Sequence, residues 1–158
     1  MPRTARITVE NACYHIITRG NQKQSVFLNE NDFKKYLSLL TKYKNQYRFK
    51  VYCFCLMPNH VHLILEVREP RLLSKIMKKI NLSYTIYFNF EHQKVGHLWQ
   101  DRFKSKIIEK DAYLLECLNY IESNPVRASL AEHLDEYPWS SYIFRKQNSS
   151  ILDNMFSL

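Results

Sequence analysis

The sequence predicts an α+β fold, a split β-α-β-β-α-β (ferredoxin-like) antiparallel sheet with an added C-terminal helix. Three observations predict it. The spacing of apolar residues switches between two and 3.6 in the order strand, helix, strand, strand, helix, strand, helix. The link Met57-Pro58-Asn59 is too short for a crossover, so the strands on either side of it are antiparallel. Only two glycines occur, Gly20 and Gly96, which excludes the glycine-rich phosphate loops of P-loop and dinucleotide folds.

Residues 12–19 are rich in aromatic and β-branched side chains and read as the first strand, ended by Gly20-Asn21. Asn29 to Asp32 supply helix-start chemistry, and Phe33, Tyr36, Leu37, Leu40 and Tyr43 recur at helical spacing over roughly 31–46. Residues 49–56 are apolar on both faces and suit a buried second strand. In the third strand, 60–67, Val61, Leu63, Leu65 and Val67 alternate with His60, His62, Ile64 and Glu66. Pro70 breaks the chain. Leu72, Leu73, Ile76, Met77, Ile80 and Tyr84 then trace a second helix, and 88–96 reads as a loop. A fourth strand is expected over 99–108, and a third helix from Asp111 to about Ser123, with Pro125 beyond its end. In this arrangement the first and third strands are central, His60 and His62 lie on the face opposite the two packed helices or at their edge, and a third helix docking on that face would complete a site. One domain, 1–145, is expected, opening with a basic arm that carries Arg3 and Arg6; 146–158 is expected to be a loosely ordered tail.

Lys plus Arg number 23 against 15 Asp plus Glu, a net charge of +8 that suits a polyanionic partner, most commonly nucleic acid. Cys13, Cys53, Cys55 and Cys117 form no C-x-x-C and read as buried thiols in a reducing compartment. No leader-like or membrane-spanning apolar run is present, so the expected location is cytoplasmic, with no membrane partner.

Alternate strand residues share a face, so His60 and His62 project side by side, close enough to hold one ion. On the third helix Tyr113, Glu116, Cys117 and Tyr120 lie at i, i+3, i+4 and i+7, beside an apolar stripe of Leu114, Leu118 and Ile121. A phenol is a poor nucleophile at neutral pH, since its pKa is about 10. A divalent metal that polarises a phosphodiester lowers that barrier, so phosphoryl transfer to a phenolic oxygen would make chemical sense there. With 11 tyrosines in the chain, the residues alone favour ordinary aromatic packing for Tyr113 and Tyr120.

Five separated segments carry a resemblance. They are Tyr14-His-Ile-Ile-Thr-Arg-Gly-Asn21, Met57-Pro-Asn-His-Val-His-Leu63, Trp99-Gln-Asp-Arg-Phe103, Tyr120-Ile-Glu-Ser-Asn-Pro-Val-Arg-Ala128 and Tyr137-Pro-Trp-Ser-Ser-Tyr142. As an ordered set they resemble the REP-associated tyrosine transposases, a branch of the single-tyrosine HUH transposases. The resemblance implies a core that binds single-stranded or hairpin (REP-like) DNA and a helix tyrosine that attacks a DNA phosphate, leaving a 5′-phosphotyrosine and a free 3′-OH. It implies Mg²⁺ or Mn²⁺ held by the two family histidines, which match His60 and His62. The family tyrosine matches Tyr113, near a helix start whose exposed N–H groups favour a phosphate; Tyr120 is the fallback. Relatives take a third metal ligand from an amide side chain one turn after the tyrosine. Here that position is Cys117, a soft donor, so Glu116 is the expected oxygen ligand. Arg3, Arg6, Arg19, Asn21, Arg102, Lys104 and Arg127 are the expected DNA contacts. The branch implies a monomer or weak dimer, associated with the nucleoid.

Two readings compete with a nuclease that nicks and rejoins DNA. One is a non-catalytic, domesticated DNA-binding regulator on the same scaffold. The other is an RNA-binding sheet, which the missing RNP1-like string disfavours. A zinc hydrolase lacks a third His or Cys at ligand spacing.

Overall fold

The computed structural model describes residues 11–155. The elements are β1 (Ala12–Arg19), α1 (Glu30–Tyr47), β2 (Lys50–Met57), β3 (His60–Val67), α2 (Leu72–His92), β4 (Lys104–Ile108), α3 (Ala112–Glu122), α4 (Asn124–Arg127) and α5 (Ser141–Lys146). The strands form one antiparallel sheet in the order β2-β3-β1-β4, the arrangement expected of a split β-α-β-β-α-β fold. The hairpin turn is Pro58-Asn59, and it sets Met57 opposite His60.

One face of the sheet carries Tyr14, Ile16, Phe54, Leu56, Val61, Leu63 and Leu65, buried against α1 and α2. The other face carries Cys13, Cys53, Cys55 and Ile64, buried against Leu114, Leu118 and Ile121 of α3. Each fully buried aliphatic side chain contributes roughly 1.5–3 kcal/mol. The even-numbered residues of β3, including both histidines, therefore face α3 and not the main core.

Three expectations are corrected. The stretch 88–96 is not a loop from its start, because α2 runs on to His92. Phe88 extends the buried Ile80–Tyr84 row, and His92 Nε2 reaches the fully buried Asp32 carboxylate at 2.8 and 3.0 Å. Asp32 also accepts from Tyr87 Oη at 2.9 Å and the Leu28 N–H at 2.8 Å, so this knot ties the end of α2 to the start of α1. The fourth strand is shorter than expected, beginning at Lys104; residues 99–103 form a loop that makes a single bridge from Trp99 to Gly20. The tail from 146 packs through the described residues. Ile151 is buried, and Asp153 pairs with Lys44 at 2.7 Å and accepts from the Val51 N–H at 2.9 Å.

The same C-terminal segment lies along the outer edge of β2. The Leu56 N–H donates to the Trp139 carbonyl at 2.9 Å, the Phe54 N–H to Ser141 Oγ at 3.1 Å, and the Asp153 N–H to the Val51 carbonyl at 2.8 Å. The basic arm, with Arg3 and Arg6, lies outside the described residues. Among those described, no helix is long and apolar enough to cross a membrane.

Candidate active site

The site begins with the two histidines of β3. Their ring centroids are 4.9 Å apart and nearly perpendicular. His60 Nδ1 lies 2.7 Å from Asn59 Oδ1, and His62 Nδ1 lies 3.0 Å from His15 Nε2 on the neighbouring strand β1. Each ring thus engages the protein through Nδ1, which leaves Nε2 as its ligand atom. Burial, then the Arg19 cation, lowers the pKa of His60 to about 4. Burial, then His60, His15, Arg19 and Arg127, lowers that of His62 to about 3. Both imidazoles are neutral at pH 7, the form that binds a metal. A ligand histidine whose other nitrogen is fixed by a neighbour is the usual arrangement of a metal site, so this pair fits a divalent cation.

The third ligand is a different matter. Among the described residues, the group of three His, Cys, Asp or Glu donor atoms lying within 4.8 Å of one another is Glu132, His133 and Glu136, all exposed, and it includes neither His60 nor His62. Glu116 does not close such a triad with His60 and His62.

α3 docks through Leu114, Leu118 and Ile121, which aims its next stripe at a pocket of about 380 Å³. Tyr113, Glu116, Cys117 and Tyr120 line that pocket together with His15, Lys106 and Ile108. The expected stripe therefore does share a cavity, and His15 is the histidine that opens onto it. Strand register gives the direction of α3. Ile108, just before the helix, pairs with Cys13, which in turn lies opposite Glu66. At the far end, the Glu122 carboxylate is felt by Cys53 and by Cys55, and Cys55 lies opposite His62. The helix runs from the Glu66 end of the sheet towards the histidines.

The two tyrosines have different surroundings. Tyr113 Oη is 3.5 Å from Lys106 Nζ, and the N–H of Tyr113 already donates to the capping Asp111 carboxylate at 2.8 Å. The Tyr120 ring is covered by the Arg127 guanidinium at 3.8 Å, and Arg127 also donates to the Tyr120 carbonyl at 2.6 Å. Arg127 is also the weakest of the charges that help burial lower the His62 pKa. Helical backbone continues past α3: the Ser123 N–H bonds to Asn119, and the Ala128 N–H to Asn124. Pro125, which has no N–H, accounts for the break between α3 and α4. Asn124 thus stands one turn beyond Tyr120.

Sequence reasoning missed two members of this site. His15 was detectable in principle, since residues of β1 at odd numbers share the face of His60 and His62. Glu122, buried on α3, accepts from Ser141 Oγ and from Arg145 at 2.8 Å, and Arg145 also donates to the Tyr52 carbonyl at 3.0 Å. It pins the C-terminal end of α3 to β2 and α5, and no local sequence signal marks it.

Of the expected DNA contacts, Arg19 pairs with His60, and Lys104 shares a row with Ile17 and His62, so both lie on the histidine face; Lys106 joins them beside His15. Arg127 stands at the end of α3. Arg102 instead lines a separate groove of about 900 Å³ with Lys78, Asn81, Trp99 and Phe103. Asn21 follows β1, and its N–H donates to the Leu98 carbonyl at 2.8 Å.

Residues 8–124 match the family described as "Transposase IS200 like". A "Putative REP-associated tyrosine transposase" of Haemophilus influenzae is 26% identical over 132 residues, covering 66% of this chain and 72% of that protein. A REP-associated tyrosine transposase solved with a REP hairpin has a TM-score of 0.75 at 16% identity, covering all of this chain and 92% of the other. A protein from Deinococcus radiodurans described as a putative transposase has a TM-score of 0.53 at 19% identity, covering 77% of this chain and 97% of the other. The two structural likenesses establish the fold. The family match runs from before β1 through both histidines and all of α3, far more than half of the sequence, and the chain therefore belongs to the IS200-like transposases.

Proposed function

We propose that this transposase nicks and rejoins single-stranded or hairpin DNA on the face shared by β3 and α3, through a tyrosine–DNA intermediate. The observation that carries the reading is the neutral histidine pair, each ring held through Nδ1, on the sheet face that the tyrosine-bearing helix covers. His60 and His62 would hold Mg²⁺ or Mn²⁺, with Lewis-acid polarisation of a phosphate as the chemistry the ion supplies when bound. In the reaction the tyrosine oxygen forms a bond to phosphorus while the bond to the 3′ oxygen breaks. The 3′ oxygen takes a proton, and the phenol loses one. Rejoining is the reverse.

Tyr113 is the nucleophile implied by the resemblance, but the geometry favours Tyr120. The helix brings its C-terminal half towards His62, and Arg127, which covers the Tyr120 ring, adds the smallest of the charge effects on the His62 imidazole. The amide expected one turn after the tyrosine is Asn124 if the tyrosine is Tyr120, and the soft Cys117 if it is Tyr113. The helix-terminus advantage of Tyr113 is weakened because Asp111 already occupies its N–H. Lys106 beside Tyr113 Oη keeps that tyrosine as the second reading. The two side chains lie about 10 Å apart along the helix, while in-line attack needs about 3–3.5 Å, so one of them serves. Glu116 remains a contributor to the pocket wall under either assignment.

Arg19, Lys104, Lys106 and Arg127 make this face cationic and suit it to a DNA backbone. The test is a denaturing gel of end-labelled, REP-like hairpin with the protein and Mn²⁺. A covalent adduct lost in Tyr120→Phe and retained in Tyr113→Phe is expected; the opposite pattern reassigns the nucleophile. His60→Ala and His62→Ala should lose the adduct and keep hairpin binding. Hairpin binding without any wild-type adduct favours the non-catalytic regulator.

A further inference from the structure

We propose that His15 is a positioning residue that selects the metal-binding tautomer of His62. The proposal rests on the reading of His60 and His62 as the metal pair. His15 Nε2 lies 3.0 Å from His62 Nδ1, and the two rings are stacked with centroids 5.3 Å apart and planes 26° from parallel. A neutral imidazole carries one proton on one nitrogen, and a hydrogen bond between two such nitrogens holds one proton between them. If that proton belongs to His62 Nδ1, the lone pair of His62 is on Nε2 and a metal can take it. If it belongs to His15 Nε2, the proton of His62 sits on Nε2 and blocks the ligand atom. Metal binding therefore requires His15 to accept, which puts the proton of His15 on its Nδ1.

The surroundings suit this role better than a packing role. His62 is 5% exposed, and its partner His15 lines the pocket shared with Lys106, Tyr113, Glu116 and Tyr120, so His15 links the ligand histidine to the tyrosine-bearing helix. His60 has its own partner in Asn59 on the adjacent turn, whereas His62 depends on a different strand. An apolar ring at position 15 would fill the same space and leave His62 without an acceptor. A glutamine would return an acceptor to the place of Nε2.

The experiment is Mn²⁺ titration of the full chain, followed by the electron paramagnetic resonance signal of the free ion. Wild type, His15→Phe, His15→Gln and His62→Ala are compared, with circular dichroism to check folding. Loss of an outer partner of a ligand histidine lowers metal affinity by about 10- to 100-fold. A loss in that range for His15→Phe, largely restored in His15→Gln, is expected. Long-range proton–nitrogen NMR of metal-free wild type reads the tautomer directly and does not depend on any variant folding; it should find the His62 proton on Nδ1. Loss of binding in His62→Ala with unchanged affinity in His15→Phe overturns the role of His15 and keeps the metal pair. So does a His62 proton found on Nε2. Wild-type affinity in His62→Ala would instead sink the metal-pair reading itself.

Discussion

Replacing Glu122 by Ala should destabilise the fold and slow the chemistry through the same contacts. Glu122 is 4% exposed, and Ser141, whose hydroxyl it accepts, is fully buried. Removing the carboxylate strands that hydroxyl, at about 1–3 kcal/mol for an unsatisfied buried group. Arg145 loses a charge-assisted bond of 2.8 Å, but its side chain is 37% exposed and keeps the Tyr52 carbonyl, so water recovers part of the loss. The sum is about 2–4 kcal/mol, a large share of the roughly 5–15 kcal/mol typical of a domain. For a domain of this size it corresponds to about 4–16 °C in Tm. Glu122→Gln keeps an acceptor for Ser141 and should lose less than half as much. Urea unfolding with an unchanged slope is the measurement. Since α3 is held at this end, the yield of tyrosine–DNA adduct per unit time should fall in Glu122→Ala by more than the folded fraction falls; misplacement by about 1 Å can cost 100-fold. A loss below about 0.5 kcal/mol, or an adduct rate that simply follows the folded fraction, refutes the clamp.

Asp32→Ala should lose about 1–3 kcal/mol, because it removes the shared acceptor of the half-buried Tyr87 hydroxyl, the His92 ring and the Leu28 N–H; a shift under about 0.5 kcal/mol in urea would show the knot is dispensable. Hairpin affinity should fall with salt, and neutralising any of Arg19, Lys104, Lys106 or Arg127 should reduce the log–log slope by about 0.7–0.9; unchanged slopes in all four move the DNA to another face. Acid should weaken the metal-free fold. His60 and His62 titrate below their ordinary value of 6.5, at about 4 and about 3, so the unfolded chain takes up more protons in that window. Their stabilising contribution is complete above about pH 6.5 and is lost as pH falls towards about 3. Urea midpoints at pH 7.5 and 5 should therefore converge in the His60→Ala/His62→Ala double variant; an identical pH dependence would falsify this origin.

What could be read from the sequence was whatever depends on short-range periodicity. Alternation from Val61 to Val67, opened by Pro58-Asn59, located β3 and aimed its histidines. The Leu114, Leu118, Ile121 stripe oriented α3, and with it the tyrosines. What escaped depends on contacts between distant segments. His15 and His62 are 47 positions apart and meet only through the β1–β3 register. The end of α2 is polar at Asn89 and Glu91, so its pattern fades, and the buried Asp32 on α1 is what holds the last turn. Trp99 and Phe103 are buried as a strand residue would be, but they serve a loop. The i+4 spacing of Tyr120 and Asn124 was legible and spoke for Tyr120, but which end of α3 approaches the histidines was not, because spacing along a helix carries no such direction.

The segment laid along β2 has a consequence for how copies of this chain meet. An unpaired outer strand is a template on which another molecule's backbone can continue the sheet. Here the template is occupied from within, by the Trp139 carbonyl, the Ser141 hydroxyl and Asp153, while the Tyr137 hydroxyl donates to the Leu56 carbonyl at 2.5 Å. At the opposite margin β4 is only five residues long and carries Lys104 and Lys106, whose like charges resist self-pairing. A chain cut before Tyr137 would keep the histidines and both tyrosines yet present a bare, apolar strand to its neighbours. It should precipitate or stack more readily than the intact chain, so the segment that covers this edge guards the sheet against self-pairing.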